Sequence, residues 1–229
     1  MNMNYLVVAA HPDDEVLGVG GTIKRLQGIG HVVFVCIMSA NAQARACRPS
    51  ASELSANIKE CANILGVRDI IYGDFPNIEL NNVPHLKLVQ FIEQAIITTQ
   101  TSVVITHHPS DVNNDHLHTA LACGAAIRLY QRCDDGLPVD ELMYMEVPSS
   151  TDWCVDMSRH SFRPNTFIEI GESGVATKLQ ALSAYEGVMR EFPHPRSAEA
   201  ITGLAAYRGA QSGCKYAEAF ESAFRRIAL

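Results

Sequence analysis

The sequence is short of positive charge: 18 lysines and arginines face 25 aspartates and glutamates, a formal net charge of −7 over 229 residues. Nucleic-acid binders usually present a basic footprint, and the chain as a whole offers none. It also lacks any C-x-x-C pair. Its seven cysteines (Cys36, Cys47, Cys61, Cys123, Cys133, Cys154 and Cys214) are scattered, and such a set reads as reduced thiols in a cytosolic protein. No stretch approaches the roughly 20 apolar residues of a membrane-spanning helix. The apolar run Tyr5 to Ala10 has no basic segment before it and meets His11-Pro12-Asp13-Asp14-Glu15 at once, which is not the pattern of a signal peptide. The expectation is a soluble, cytoplasmic protein with no membrane span and no nucleic-acid partner. At 47% hydrophobic and 19% charged, the chain is not disordered. No linker, repeat or low-complexity tract divides it, so residues 1–229 read as one domain.

Short β-branched runs alternate with helical patterns. Tyr5 to Ala10, His31 to Met38, Asp69 to Tyr72 and Ser102 to Thr106 read as buried strands. Val16 to Gln27, Ser52 to Leu65, Val83 to Thr98 and His116 to Arg132 read as the helices between and after them. Repeated β-then-α units predict an α/β fold: a Rossmann-like, mostly parallel sheet with helices on both faces. The C-terminal third is less regular. Glu141 to Val147 and Thr166 to Ile170 read as strands and Val175 to Met189 as a helix. Arg190 to Arg196, with two prolines around His194, reads as irregular, and Ser197 to Arg208 as helical.

In an open parallel sheet, ligands bind beyond the carboxyl ends of the strands, where strand order reverses. Two such ends are dense in ligand-type side chains: His11 to Glu15 after the first strand, and Thr106 to His116 after the fourth. In a 3-2-1-4 order the two loops face each other. His11 and Asp14 plus one group from the second loop would make a three-ligand site with an open position, the arrangement of catalytic zinc. Asp13 and Glu15 then remain as carboxylates, either of which could act as a base. The bland alternative is a turn in which Asp14 caps the following helix and the second loop is solvated surface. The glycines of Gly18-Val19-Gly20-Gly21 come too late for a dinucleotide loop and predict close packing of the helix instead.

The pair AHPDDE and HHPSDVNNDH resembles the LmbE-like, or PIG-L, zinc-dependent N-deacetylases, with looser matches at Lys178 to Tyr185 and Ala217 to Phe220. The resemblance implies a Rossmann-like fold and removal of an acetyl group from an N-acetylglucosamine-type amino sugar or its conjugate. It implies His11, Asp14 and His116 as ligands of Zn2+ or another divalent first-row metal, Asp13 as general base, and homo-oligomers such as trimers or hexamers. One departure matters. Many members carry a histidine where this chain has Asn113, and an amide does not donate a proton as a general acid. Either Asn113 only polarises the oxyanion or another group donates the proton; His194, in the proline-bracketed segment, is the candidate for the latter and reads equally as a surface-loop histidine. Arg48, Asn113 and His108 are candidate substrate contacts. Arg45 and Arg48 could bind a phosphate or carboxylate of the substrate or read, more commonly, as solvated loop arginines, and Arg190, Arg196 and Arg208 carry the same ambiguity; His107 and His108 read as partners that orient a ligand. The rival reading is a catalytically degenerate or non-hydrolytic sugar- or nucleotide-binding domain. A nucleotide binder predicts an acidic residue at the end of the second strand, where Cys36-Ile37-Met38-Ser39 stands.

Overall fold

The computed structural model describes residues 2–40, 49–132, 137–154 and 160–227. Five strands form its parallel part: β1 (Asn4–Ala9), β2 (Val32–Ile37), β3 (Asp69–Tyr72), β4 (Val103–His107) and β5 (Glu141–Met145). Alternate residues of β1 enter opposite cores. Val7 joins one with Val35, Ile105 and Met143; Leu6 and Val8 join the other with Cys36, Val104 and Leu142. That two-sided burial is why the strands are apolar runs rather than alternating ones.

Helices α1 (Asp14–Gly28), α2 (Ala51–Leu65) and α5 (Gly171–Ser183) cover the first core, α3 (His85–Thr99) and α4 (Asn114–Ala126) the second; α6 (Ala198–Ser212) packs on the last strands. Ser50 and Glu53 close a capping box at the start of α2, and Gly66 ends it in the left-handed conformation. α4 stops at Ala126, well before the Arg132 that the spacing predicts, and continues only as a 3-10 turn over Leu129–Gln131.

The strand order is β3-β2-β1-β4-β5-β7-β6, with β1 to β5 parallel. β7 (Ala217–Arg225) runs antiparallel to both β5 and β6 (Thr166–Glu169). Order reverses between β1 and β4, and Val8 pairs with Thr106. The two motif loops therefore leave adjacent strands at the same edge, the crevice expected of this topology. The late glycines do serve packing. A Cβ at Gly18 would overlap Met145 of β5, and one at Gly21 would overlap Ile170 just before α5. Among the described residues, no helix is long and apolar enough to cross a membrane.

Candidate metal centre and active site

The turn from β1 into α1 is built so that its acids do not cap the helix. Asp13 occupies the N-cap position at φ 97° and its side chain makes no cap hydrogen bond. That conformation is strained for a residue with a Cβ. Glu15 supports it: Oε2 accepts the Asp13 N–H (3.0 Å), while Oε1 accepts the Tyr185 hydroxyl (2.6 Å) from the end of α5. Glu15 thus turns into the core, where burial pushes its pKa up to about 7. Of the two carboxylates open to the role of base, only Asp13 lines the cleft.

Asp14 turns the other way. Its Oδ2 accepts the His11 N–H (3.0 Å) and lies 3.4 Å from His11 Nδ1 and 3.1 Å from His116 Nε2. One ligand atom from each of the three residues falls within 4.8 Å of the others, and all three residues are buried. Each imidazole is held from behind. His11 Nε2 sits 2.9 Å from Asp115 Oδ2, and His116 Nδ1 sits 2.9 Å from Asp111 Oδ2. Both carboxylates are themselves fixed. Asp115 accepts the N–H groups of Ile78 and Leu80. Asp111 accepts the hydroxyls of Ser150 and Thr151 and the N–H of Asn113.

These outer bonds decide where the lone pairs are. A ring N–H given to Asp115 or Asp111 leaves the opposite nitrogen as a lone pair facing Asp14. His116 Nε2 is buried and makes no hydrogen bond among the described residues. Two lone pairs and a carboxylate facing one another repel unless a cation stands between them. In the protein alone a proton fills that need. Burial opposes charge on His116, but Asp14 and Asp111 outweigh it and push its pKa up to about 10. Burial likewise works against charge on Asp14, and His116 and His11 hold it well below the usual carboxylate range. Two imidazoles and a carboxylate suit a divalent first-row ion such as zinc. The overlapping group of His107, Asp111 and His116 is the support layer instead, since Asp111 is saturated with donors.

His107 packs flat on His116, with ring centroids 3.8 Å apart, and its Nε2 accepts the Ala10 N–H (2.8 Å). Burial, and then the charge on His116, keep it neutral with a pKa lowered to about 3. It backs the His116 ring by stacking and stitches the ends of β1 and β4 together.

The cluster floors a cleft of about 430 Å³, within the usual range for small-molecule sites. Asn77, Ile78, Val112, Asn113, Ser149, Ser150 and Arg196 wall it. Four described non-glycine residues have positive φ, and three of them line this cleft: Asp13 (97°), Ile78 (62°) and Ser149 (72°). Strain of ~1–3 kcal/mol per residue persists where surrounding bonds enforce it, as Asp115 does at Ile78.

Residues 6–127, more than half of the chain, match the family model PIG-L: GlcNAc-PI de-N-acetylase. The chain belongs to the PIG-L family. The diacetylchitobiose deacetylase of Thermococcus kodakarensis is 25% identical, over 93% of this chain and 80% of that protein. A conserved protein of Thermus thermophilus superposes with a TM-score of 0.79 at 24% identity, over 99% of this chain and 97% of that one. GalB, the 4-carboxy-2-hydroxymuconate hydratase of Pseudomonas putida, superposes with a TM-score of 0.74 at 23% identity, over 100% and 99%. The structural likenesses show a shared fold, and a hydratase among them shows that the PIG-L fold alone does not fix the reaction.

In this PIG-L chain the structure brings together His11, Asp13, Asp14, Asn113 and His116. Asn113 is the N-cap of α4: its Oδ1 accepts the Asp115 N–H (2.9 Å), leaving the amide NH2 as its donor. His194 is not in the cleft lining. It is exposed, and its Nδ1 accepts the Arg196 N–H (3.0 Å) inside the turn its prolines make. Arg196, two residues on, lines the cleft instead. His108 is buried outside that lining, bonded to Ser110, 3.4 Å from Glu221 and edge-on to Tyr144 and Phe162. Arg208 pairs with Glu146 through two nitrogens (2.9 and 2.6 Å). Arg48 and Arg45 lie outside the described residues. Sequence reasoning did not single out Asn77, Ile78, Ser149 and Ser150, since no residue type or spacing there marks a site. Asp111 and Asp115 lie inside the second motif; Asp115 adjoins His116, while Asp111 is set apart from the histidines by Ser110 and Val112.

Proposed function

We propose that this chain is a divalent-metal-dependent N-deacetylase, zinc-bound as isolated, acting on an N-acetylglucosamine-type amino sugar or its conjugate. One observation carries the reading: His11, Asp14 and His116 present two lone pairs and a carboxylate to one point, with Asp13 beside it in an open cleft. The deacetylase family and the chitobiose deacetylase relative support the acetamide as the bond attacked.

A divalent ion held there supplies Lewis acidity and lowers the pKa of water. The chain's residues do the rest. Asp115 and Asp111 fix the two imidazoles, so the ligand set is preorganised. Asp13, unspent on capping, takes a proton from the attacking water. The water oxygen bonds to the acyl carbon, the C–N bond breaks, and its electron pair leaves on nitrogen. Both water protons end on the amine, giving an ammonium group and acetate. With no imidazole at Asn113 and His194 outside the lining, Asp13 is the group that returns its proton to nitrogen. Asn77, Asn113 and Ser150 offer hydrogen bonds to sugar hydroxyls.

The test is release of free amine from a panel of N-acetylated sugars by the purified protein and by Asp13→Asn. The wild type should release amine from at least one sugar, and Asp13→Asn should bind metal normally but turn over ~10²–10⁴-fold more slowly. A near-normal rate in Asp13→Asn would remove Asp13 from the mechanism. Amine release from no member of a broad panel would count against the reading itself.

A further inference from the structure

Arg196 reaches the reacting end of the cleft from the far side of the chain. Its Nη1 donates to Asp13 Oδ2 (3.3 Å) and its Nε donates to Ser149 Oγ (3.2 Å). The turn that carries it is pinned: the Arg196 N–H is held by His194 Nδ1 (3.0 Å), its carbonyl accepts the Arg190 N–H (3.3 Å), and Ser197 caps α6 immediately after it. Ser149, the acceptor for Nε, is one of the cleft's strained residues. Arg196 is the single lysine or arginine among the described residues of the lining. Its guanidinium carries five N–H groups, and the two bonds above use two of them.

An acyl carbon attacked by a water bonded to Asp13 lies within about 7 Å of that carboxylate, one hydrogen bond of ~2.6–3.2 Å plus an approach of ~3–3.5 Å. The guanidinium, in contact with the same carboxylate, falls inside that radius. Its planar fork matches the two oxygens of a carboxylate or of a tetrahedral oxyanion. Asn113 supplies only a neutral amide donor.

We infer that Arg196 binds the substrate's acyl oxygen, stabilising the developing oxyanion and then holding the acetate product, in the deacetylation proposed above. His194 acts through it, as the residue that positions its backbone.

Methylphosphonate, a tetrahedral anion with the same methyl group, is the probe. Calorimetric titration into the zinc-loaded protein reads binding without turnover. Arg196→Ala should weaken methylphosphonate by about tenfold or more, as loss of charge-assisted hydrogen bonds does, at unchanged zinc content. On the N-acetylated sugar that the wild type turns over, Arg196→Ala should lower kcat by ~10²–10³-fold with little change in KM. Added guanidinium should restore part of the lost turnover, which a folding defect would not permit. Unchanged methylphosphonate affinity, or a defect confined to KM, would overturn the inference and leave the deacetylase reading intact. A wild type that holds methylphosphonate through Arg196 but releases no amine would contradict the deacetylase reading and leave Arg196 as an anion-binding residue.

Discussion

His116 stands between two carboxylates, one on each nitrogen, and Asp14 serves two imidazoles. Such a cluster is legible in sequence because its members lie in two short motifs at strand ends, where topology brings them together. Asp13 was legible for the same reason. Arg196 stood in the sequence only as one of several ambiguous arginines, because it meets Asp13 across 183 residues of sequence and from an irregular turn. Glu15 shows how one motif holds two fates: adjacent acids, one aimed at the cleft and one buried against Tyr185. Burial raises the Glu15 pKa from 4.5 to about 7. Between those values the folded protein keeps a proton that the unfolded chain has released, so rising pH favours unfolding there. In metal-free protein, the stability of the wild type relative to Glu15→Gln should fall as pH rises from about 4.5 to about 7 and be level on either side. Denaturant melts across that range check it, and a flat difference would mean that Glu15 is ionised throughout.

At the scale of elements, α1 is two helices in one. Val19 has a non-helical φ of −139°, and the N–H groups it frees, on Gly21 and Thr22, are taken by the Glu218 carboxylate of β7 (3.0 and 2.7 Å). Lys178 of α5 pairs with the same carboxylate at 2.6 Å, and both side chains are buried. The helix was legible from its apolar spacing. The kink was not, because the acid that caps its second half comes from β7, near the far end of the chain. β7 itself escaped notice for a related reason. Ala217–Arg225 holds no valine, isoleucine or threonine and carries an acid in its buried part, so Ala217 to Phe220 stood out only as a loose family match. Removing the acid leaves a buried ammonium and two orphan N–H groups. Glu218→Ala should therefore destabilise the fold by ~3–5 kcal/mol. Urea unfolding measures this, and a loss below ~1 kcal/mol would show that water replaces the carboxylate.

Over the whole molecule, the β3-β2-β1-β4 order followed from repeated β-then-α units, and it alone places the two motif loops face to face. The antiparallel extension through β7 and β6 followed from no such repeat. It braces α1 through Glu218 and leads, through α6, to the turn that sets Arg196 at the cleft. The molecule thus draws its candidate metal-binding group from the regular half and its charged cleft residue from the irregular one. The most direct measurement is amine release by protein stripped with chelator and titrated with zinc. The account predicts no turnover in the stripped wild type, recovery at one equivalent of zinc, and no recovery in His116→Ala. Full turnover by protein verified to be free of metal would contradict it.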